Sequence, residues 1–131
     1  VKETLLSGWI TTGPKTKLFE KKLAEYVGCE KVMALNSATA GLELMLRWFG
    51  IQEGDEVIVP AMTFCATVNA VIHAGARPVF ADISLPSMTL DPEDVLRKCT
   101  KRTKAIIPVH FHGRPADMKS LKNIELLNLL G

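Results

Sequence analysis

Apolar positions fall in short blocks along this chain, and the blocks alternate between two spacings. Phe19, Leu23, Tyr26 and Val27 recur at helical spacing after Gly13-Pro14, and Gly28 ends the run. Proline suits the first helical position, where its missing N–H would have no partner anyway. Val32–Leu35 is instead continuous and apolar, the pattern of a buried strand, and Asn36-Ser37-Ala38-Thr39 closes it as a small polar turn. A second helix carries Leu42, Met45, Leu46 and Phe49 on one face and ends at Gly50. It also places Glu43 four residues before Arg47, where the two can pair.

The alternation continues to the last helix. Gly54-Asp55 turns the chain into Glu56–Pro60, a continuous apolar strand suited to the centre of a parallel sheet. Thr63–Ala74 reads as a helix stopped by Gly75, and Pro78–Asp82 as a strand. Asp91-Pro92-Glu93-Asp94 supplies a cap, a first-position proline and acids near the positive helix end. Lys104–Val109 is the fourth strand, and Asp117 is placed to cap the last helix. Strand and helix in turn, with short links, predict an α/β fold whose parallel sheet is joined by right-handed crossovers. Ligands of such sheets bind beyond the carboxyl ends of the strands. That rule singles out Asn36–Thr39, Pro60–Phe64 and His110–Gly113.

Composition acts mainly by exclusion. The 131 residues are 47% hydrophobic and 23% charged, which fits one globular core. A net charge of +2, with lysines dispersed among acids, matches solvated helix faces and not a nucleic-acid patch. No apolar run approaches the ~20 residues that span a bilayer, and no signal-peptide pattern occurs. Cys29, Cys65 and Cys99 lack metal-type spacing and fit reduced thiols of a cytoplasmic protein. The chain contains neither a glycine-rich dinucleotide fingerprint nor a P-loop, which argues against an unrelated nucleotide-binding domain.

Four stretches carry candidate chemistry, each with a plainer alternative. Backbone N–H groups and the Ser37 and Thr39 hydroxyls can hold a phosphate at the positive end of a helix, or Ser37 can be a simple cap. Phe64 can stack on a flat ring at the sheet edge, or fill the core. His110 and His112 flank Phe111 without a third metal ligand at sensible spacing, so both default to loop histidines, as His73 does to a helical one. Ser7–Pro14, with Trp9 beside Thr11 and Thr12, can line a pocket or anchor the amino-terminal arm.

Ser7–Pro14, Asn36–Leu42, Gly54–Pro60, Thr63–Phe64, Pro78–Asp82 and Lys104–Met118 resemble, in this order, landmarks of the DegT/DnrJ/StrS family of sugar aminotransferases. The resemblance runs from Leu5 to Met118. It implies an α/β fold of PLP-dependent transferase fold type I, the aspartate-aminotransferase type. The expected architecture is a partial three-layer α/β/α large domain with an incomplete sheet. Residues 1–13 would form an arm and a loop at the active-site mouth, 14–118 the first part of the cofactor-binding domain, and 119–131 a truncated or divergent tail.

Site residues follow from the same resemblance. Ala38 and Thr39, with Ser37 beside them, match the residues that hold the phosphate of pyridoxal 5'-phosphate, and Phe64 matches the aromatic that stacks on its ring. Trp9, Thr11 and Thr12 match a segment near the sugar nucleotide. The implied reaction moves an amino group from glutamate, leaving 2-oxoglutarate, to a nucleotide-linked keto sugar for polysaccharide, lipopolysaccharide or antibiotic synthesis. A cytoplasmic homodimer is implied as well.

The resemblance also has gaps. The family's Schiff-base lysine and its acid for the ring nitrogen belong to an Asp-Ala-Ala stretch and a Ser…Lys stretch, and this sequence has neither. Lys98, Lys101 and Lys104 match positions that are not catalytic. The expectation is therefore an amino-terminal fragment with no catalytic residue of its own, weak or absent cofactor binding and a tendency to aggregate. Val32–Leu35 would lack strand neighbours, and Leu126, Leu127, Leu129 and Leu130 would add apolar surface. A non-catalytic binding or interaction module derived from the family is the alternative.

Overall fold

The computed structural model describes residues 1–129, with side chains described through Ile124, so the leucine-rich tail lies outside the described side chains. Two compact units meet in sequence between Asn36 and Ser37. The first holds α1 (Lys2–Leu6) and α2 (Pro14–Val27). Helix α1 spans only five residues, too few for a periodic signal in the sequence. Helix α2 opens behind Gly13 and stops at Gly28, whose φ of 71° is the left-handed conformation that glycine adopts without a Cβ clash.

Burial in this unit departs from the sequence pattern. Helix α2 buries none of its residues, and Phe19, Tyr26 and Val27 on its apolar stripe stay exposed. Val32–Leu35, read as a buried strand, belongs to no helix or sheet, and Met33 and Leu35 are exposed. The Ala34 N–H donates to Glu20 Oε1 at 2.8 Å, a side chain where a strand would offer a carbonyl. An apolar run becomes a strand only where a second backbone supplies the ladder, and the described residues of this unit supply none.

The second unit contains α3 (Ala38–Trp48), β1 (Glu56–Pro60), α4 (Cys65–His73), β2 (Arg77–Ala81), β3 (Ile83–Ser84) and β4 (Thr89–Leu90). It continues with α5 (Pro92–Lys98), β5 (Thr103–Ile106), a single 3₁₀ turn at Phe111–Gly113, and α6 (Met118–Leu129). Strands pair in the order β2-β1-β5, all parallel, so β1 is the centre of a three-stranded sheet.

Every residue of β1 is buried, and its side chains divide by period two. Val57 and Val59 pack with Leu46, Ile51, Ala70 and Val71, from the α3 and α4 side. Ile58 packs with Ala81, Leu90, Val95, Leu121 and Ile124, from the α5 and α6 side. Three layers result around an incomplete sheet, and each buried β1 aliphatic contributes about 1.5–3 kcal/mol.

Boundaries differ from the sequence pattern where backbone chemistry intervenes. β5 stops at Ile106 although the apolar run continues to Val109. Ile107 N–H still reaches Ile58 O at 2.9 Å, but Pro108 has no N–H to extend the ladder. The hairpin of β3 and β4 has two residues per strand, too short to show alternation, and turns through Met88 at a φ of 58°. On α3 only Leu42 and Leu46 of the expected apolar face reach the core, leaving Met45 and Phe49 exposed.

A carboxylate clamp closes the amino edge of the sheet. Glu56 opens β1 with only 1% of its surface exposed. Its Oε1 accepts from Arg77 Nη2 at 2.8 Å and from Arg102 Nη2 and Nε at 2.7 and 3.0 Å, while Oε2 accepts from Thr100 Oγ1 at 2.7 Å. The Thr100 bond, then Arg102 and Arg77, outweigh burial and hold the carboxyl below its ordinary range. Buried Asp94 works alike: the Asp82 N–H at 2.7 Å, then Arg97 and Lys98, keep it ionised while it fastens α5 to the end of β2.

Candidate functional site

Two of the three candidate stretches, Asn36–Thr39 and Pro60–Phe64, lead into α3 and α4, and only the second follows a strand. Ser37 is the N-cap of α3, with extended backbone and its Oγ accepting from Ala40 N–H at 3.1 Å. That bond satisfies the cap reading of Ser37. Helix geometry still leaves the N–H groups of Ala38 and Thr39 without intrahelical acceptors, in the positive first turn of an eleven-residue helix. Ala38 is exposed and Thr39 half-buried, so these donors are open to an anion.

Phe64 caps α4 directly after the Ala61–Thr63 bend that follows β1. Its side chain is 76% exposed, which corrects the core alternative for this residue. The bend turns the chain out of the sheet, so the aromatic is presented at the carboxyl edge. Beneath it the Thr63 and Thr67 hydroxyls bond at 2.9 Å and stiffen the first turn. Sequence pattern gave no sign of this pair beyond its spacing of four.

The third stretch is held by its own bonds. His110 Nδ1 accepts from Ala116 N–H at 3.0 Å, which places the ring proton on Nε2 and closes the turn before α6. His112 sits at a φ of 52° with its ring edge-on to Phe111 at 4.2 Å. Arg114 donates to Pro86 O, tying this turn to the β3–β4 hairpin. Asp117 caps α6 as expected: its Oδ1 accepts from Ser120 N–H at 3.0 Å, and the bonds from Ser120 lower its pKa. Among the described residues no cluster of three His, Cys, Asp or Glu is placed to hold a metal.

In the first unit, Trp9 and Thr11 line a cleft of about 410 Å³ with Thr4, Ile10 and Lys15, and Thr12 is not part of its lining. Trp9 packs on Gly13, where an added Cβ would lie 3.0 Å from Trp9 Cβ. The amino-terminal segment therefore holds its tryptophan by close backbone approach, and the indole remains largely exposed.

The match to a family model decides what these turns belong to: residues 1–127 fit the DegT/DnrJ/EryC1/StrS aminotransferase family. The chain belongs to that family. It is 49% identical over 121 residues to the spore coat polysaccharide biosynthesis protein SpsC of Bacillus subtilis (strain 168), covering 92% of this chain and 31% of that protein. Among solved structures, Spr1654 from Streptococcus pneumoniae in its PLP form is 47% identical with a TM-score of 0.90, covering 93% of this chain and 31% of that one. NtdA from Bacillus subtilis with bound cofactor PMP is 37% identical with a TM-score of 0.93, covering 96% and 29%. The family fold is thus that of PLP-dependent sugar aminotransferases, and this chain spans about a third of the length of these relatives.

The residues present fit such a cofactor in chemistry. A phosphate needs N–H and hydroxyl donors at a positive helix end, which Ala38, Thr39 and Ser37 supply, and a pyridine ring needs an exposed aromatic face, which Phe64 supplies. No helix among the described residues is long and apolar enough to cross a membrane.

Proposed function

We propose that this chain supplies the phosphate- and ring-holding part of a pyridoxal-phosphate site. The enzyme so served aminates a nucleotide-linked keto sugar from glutamate, as a homodimer in the cytoplasm. The observation that carries the reading is the pairing of an open helix N-terminus at Ser37–Thr39 with the exposed Phe64 at the head of the neighbouring helix. Membership of an aminotransferase family supports the reaction class. The cofactor, when bound, supplies the electron sink and the amino-group carrier.

The chain's own residues bind and orient. The N–H groups of Ala38 and Thr39 and the Thr39 hydroxyl donate hydrogen bonds that stabilise the phosphate charge, and Ser37 keeps the first turn in helical geometry by holding Ala40 N–H. Phe64 covers one ring face and excludes water from it. Trp9 and Thr11 offer an apolar face and a hydroxyl to the sugar substrate, with Thr12 beside them. None of these residues takes a covalent role.

Equilibrium dialysis of pyridoxal phosphate against the purified chain tests the reading. Thr39→Val and Phe64→Ala should each weaken binding about fivefold to tenfold, the loss of roughly 1–1.4 kcal/mol of contact. Borohydride reduction of the mixture should label exposed lysines such as Lys15, Lys21 and Lys31 only at the scattered background any free amine gives with an aldehyde, with no one lysine dominant by mass spectrometry. Binding indifferent to both substitutions would refute the cradle, and one lysine labelled stoichiometrically above that background would refute the purely non-covalent role.

A further inference from the structure

Glu43 is spaced to pair with Arg47, yet the fold directs it to another helix. Its Oε1 lies 2.7 Å from Nδ1 of His73, the last residue of α4. Helices α3 and α4 run side by side in the same direction. Each returns to the amino edge of the sheet, α3 into β1 and α4 into β2, and a Cβ on Gly75 would lie 3.7 Å from Glu53 N where the two return turns meet. Both amino termini therefore stand at the carboxyl edge.

Counting back from the pair gives their relative level. At ~1.5 Å per residue, Phe64 lies about 13 Å before His73 and Ser37 about 9 Å before Glu43. The two caps are thus within about 5 Å of one level, on axes that packed helices hold ~8–10 Å apart. That separation suits one molecule with a phosphate at one end and a ring at the other.

We propose that Glu43 and His73 are a positioning pair that sets the spacing between the Ser37–Thr39 turn and Phe64, and that protonation of His73 tightens it. The inference rests on the cradle reading above. A neutral imidazole already donates a charge-assisted bond to the carboxylate, and an imidazolium adds to it the attraction of a full positive charge. The His73 and Glu43 side chains are 58% and 30% exposed, so solvent reaches the ring.

Few other charges bear on the pair. Cys65 is the only other titratable group on α4, and Arg47 is the only other one on α3. The return turns carry Glu53 and Asp55, with Asp55 engaged by the Gln52 N–H. The adjoining strands carry Glu56 and Arg77, which bond to each other.

Amide NMR of the purified chain from pH 5 to 8 tests the proposal. In the wild type, the amides of Ala38–Ala40 and of Phe64–Cys65 should titrate with the midpoint of the His73 ring. Glu43→Ala and His73→Phe should abolish that remote titration, and Glu43→Gln, which keeps the hydrogen bond, should retain part of its amplitude. A titration confined to His73 and its sequence neighbours would overturn the proposal. Pyridoxal phosphate binding gives the second arm, with the affinity ratio between pH 6 and pH 8 at least twofold larger in the wild type than in His73→Phe. Equal ratios in the two proteins would count against the pair. Loss of the Thr39 and Phe64 effects alone would strike the cradle reading, while the amide titration would still decide the pair.

Discussion

Replacing Glu56 by alanine removes the acceptor for four hydrogen bonds at the amino edge of the sheet. The Arg77 and Arg102 side chains are 67% and 64% exposed, so they rehydrate and each of their bonds counts at the low end, about 0.5 kcal/mol. Thr100 adds about 1 kcal/mol, and the emptied volume beside fully buried Val57 adds about another 1 kcal/mol. The expected loss is about 2–4 kcal/mol, measured by urea unfolding at pH 7 with circular dichroism. Glu56→Gln keeps the shape and one acceptor and should lose about 1–2 kcal/mol. Exposed Glu53→Ala, as control, should stay within about 0.5 kcal/mol.

The pH dependence follows from the lowered pKa of Glu56. Its stabilisation is complete above the unfolded value of about 4.3 and is lost as pH falls through the lower folded value. The gap between wild type and Glu56→Gln should therefore be full at pH 7 and shrink below about pH 4. A Glu56→Ala chain within about 0.5 kcal/mol of wild type, or a gap that ignores acid, would refute the clamp.

Three further outcomes are expected. Asp94→Asn should cost about 1–3 kcal/mol by urea unfolding, because it weakens the charge-assisted bonds from Asp82 N–H, Arg97 and Lys98, and its effect too should fade below about pH 4. Gly13→Ala should shift the Trp9 emission in a Trp48→Phe background, since the new Cβ would lie 3.0 Å from Trp9 Cβ; an unchanged spectrum would argue against the contact. The chain should scatter light as concentration rises, and joint Trp48→Lys and Phe49→Glu substitution should reduce that scatter severalfold with stability changed by less than about 0.5 kcal/mol, because both side chains are exposed.

What the sequence determined was whatever local chemistry controls. Pro14, Gly28, Ser37, Asp91 and Asp117 mark helix ends by capping and backbone freedom, and the structure has helix ends at each of them. The run Glu56–Pro60 specified a central strand because only burial on both faces suits it, and the order of landmarks specified the family. Tertiary structure decided everything that depends on a second backbone or a second helix. Val32–Leu35 has the composition of a strand and no ladder, and β5 ends where Pro108 breaks its own. Spacing offered Glu43 a partner four residues away, while helix packing brought His73 closer. Phe64 shows the same division: its residue type and place after a strand made it a candidate, but only the turn out of β1 put the ring in solvent, where it can meet a ligand. Hydrophobic pattern records which side chains avoid water, and it does not record which neighbour removes them from it.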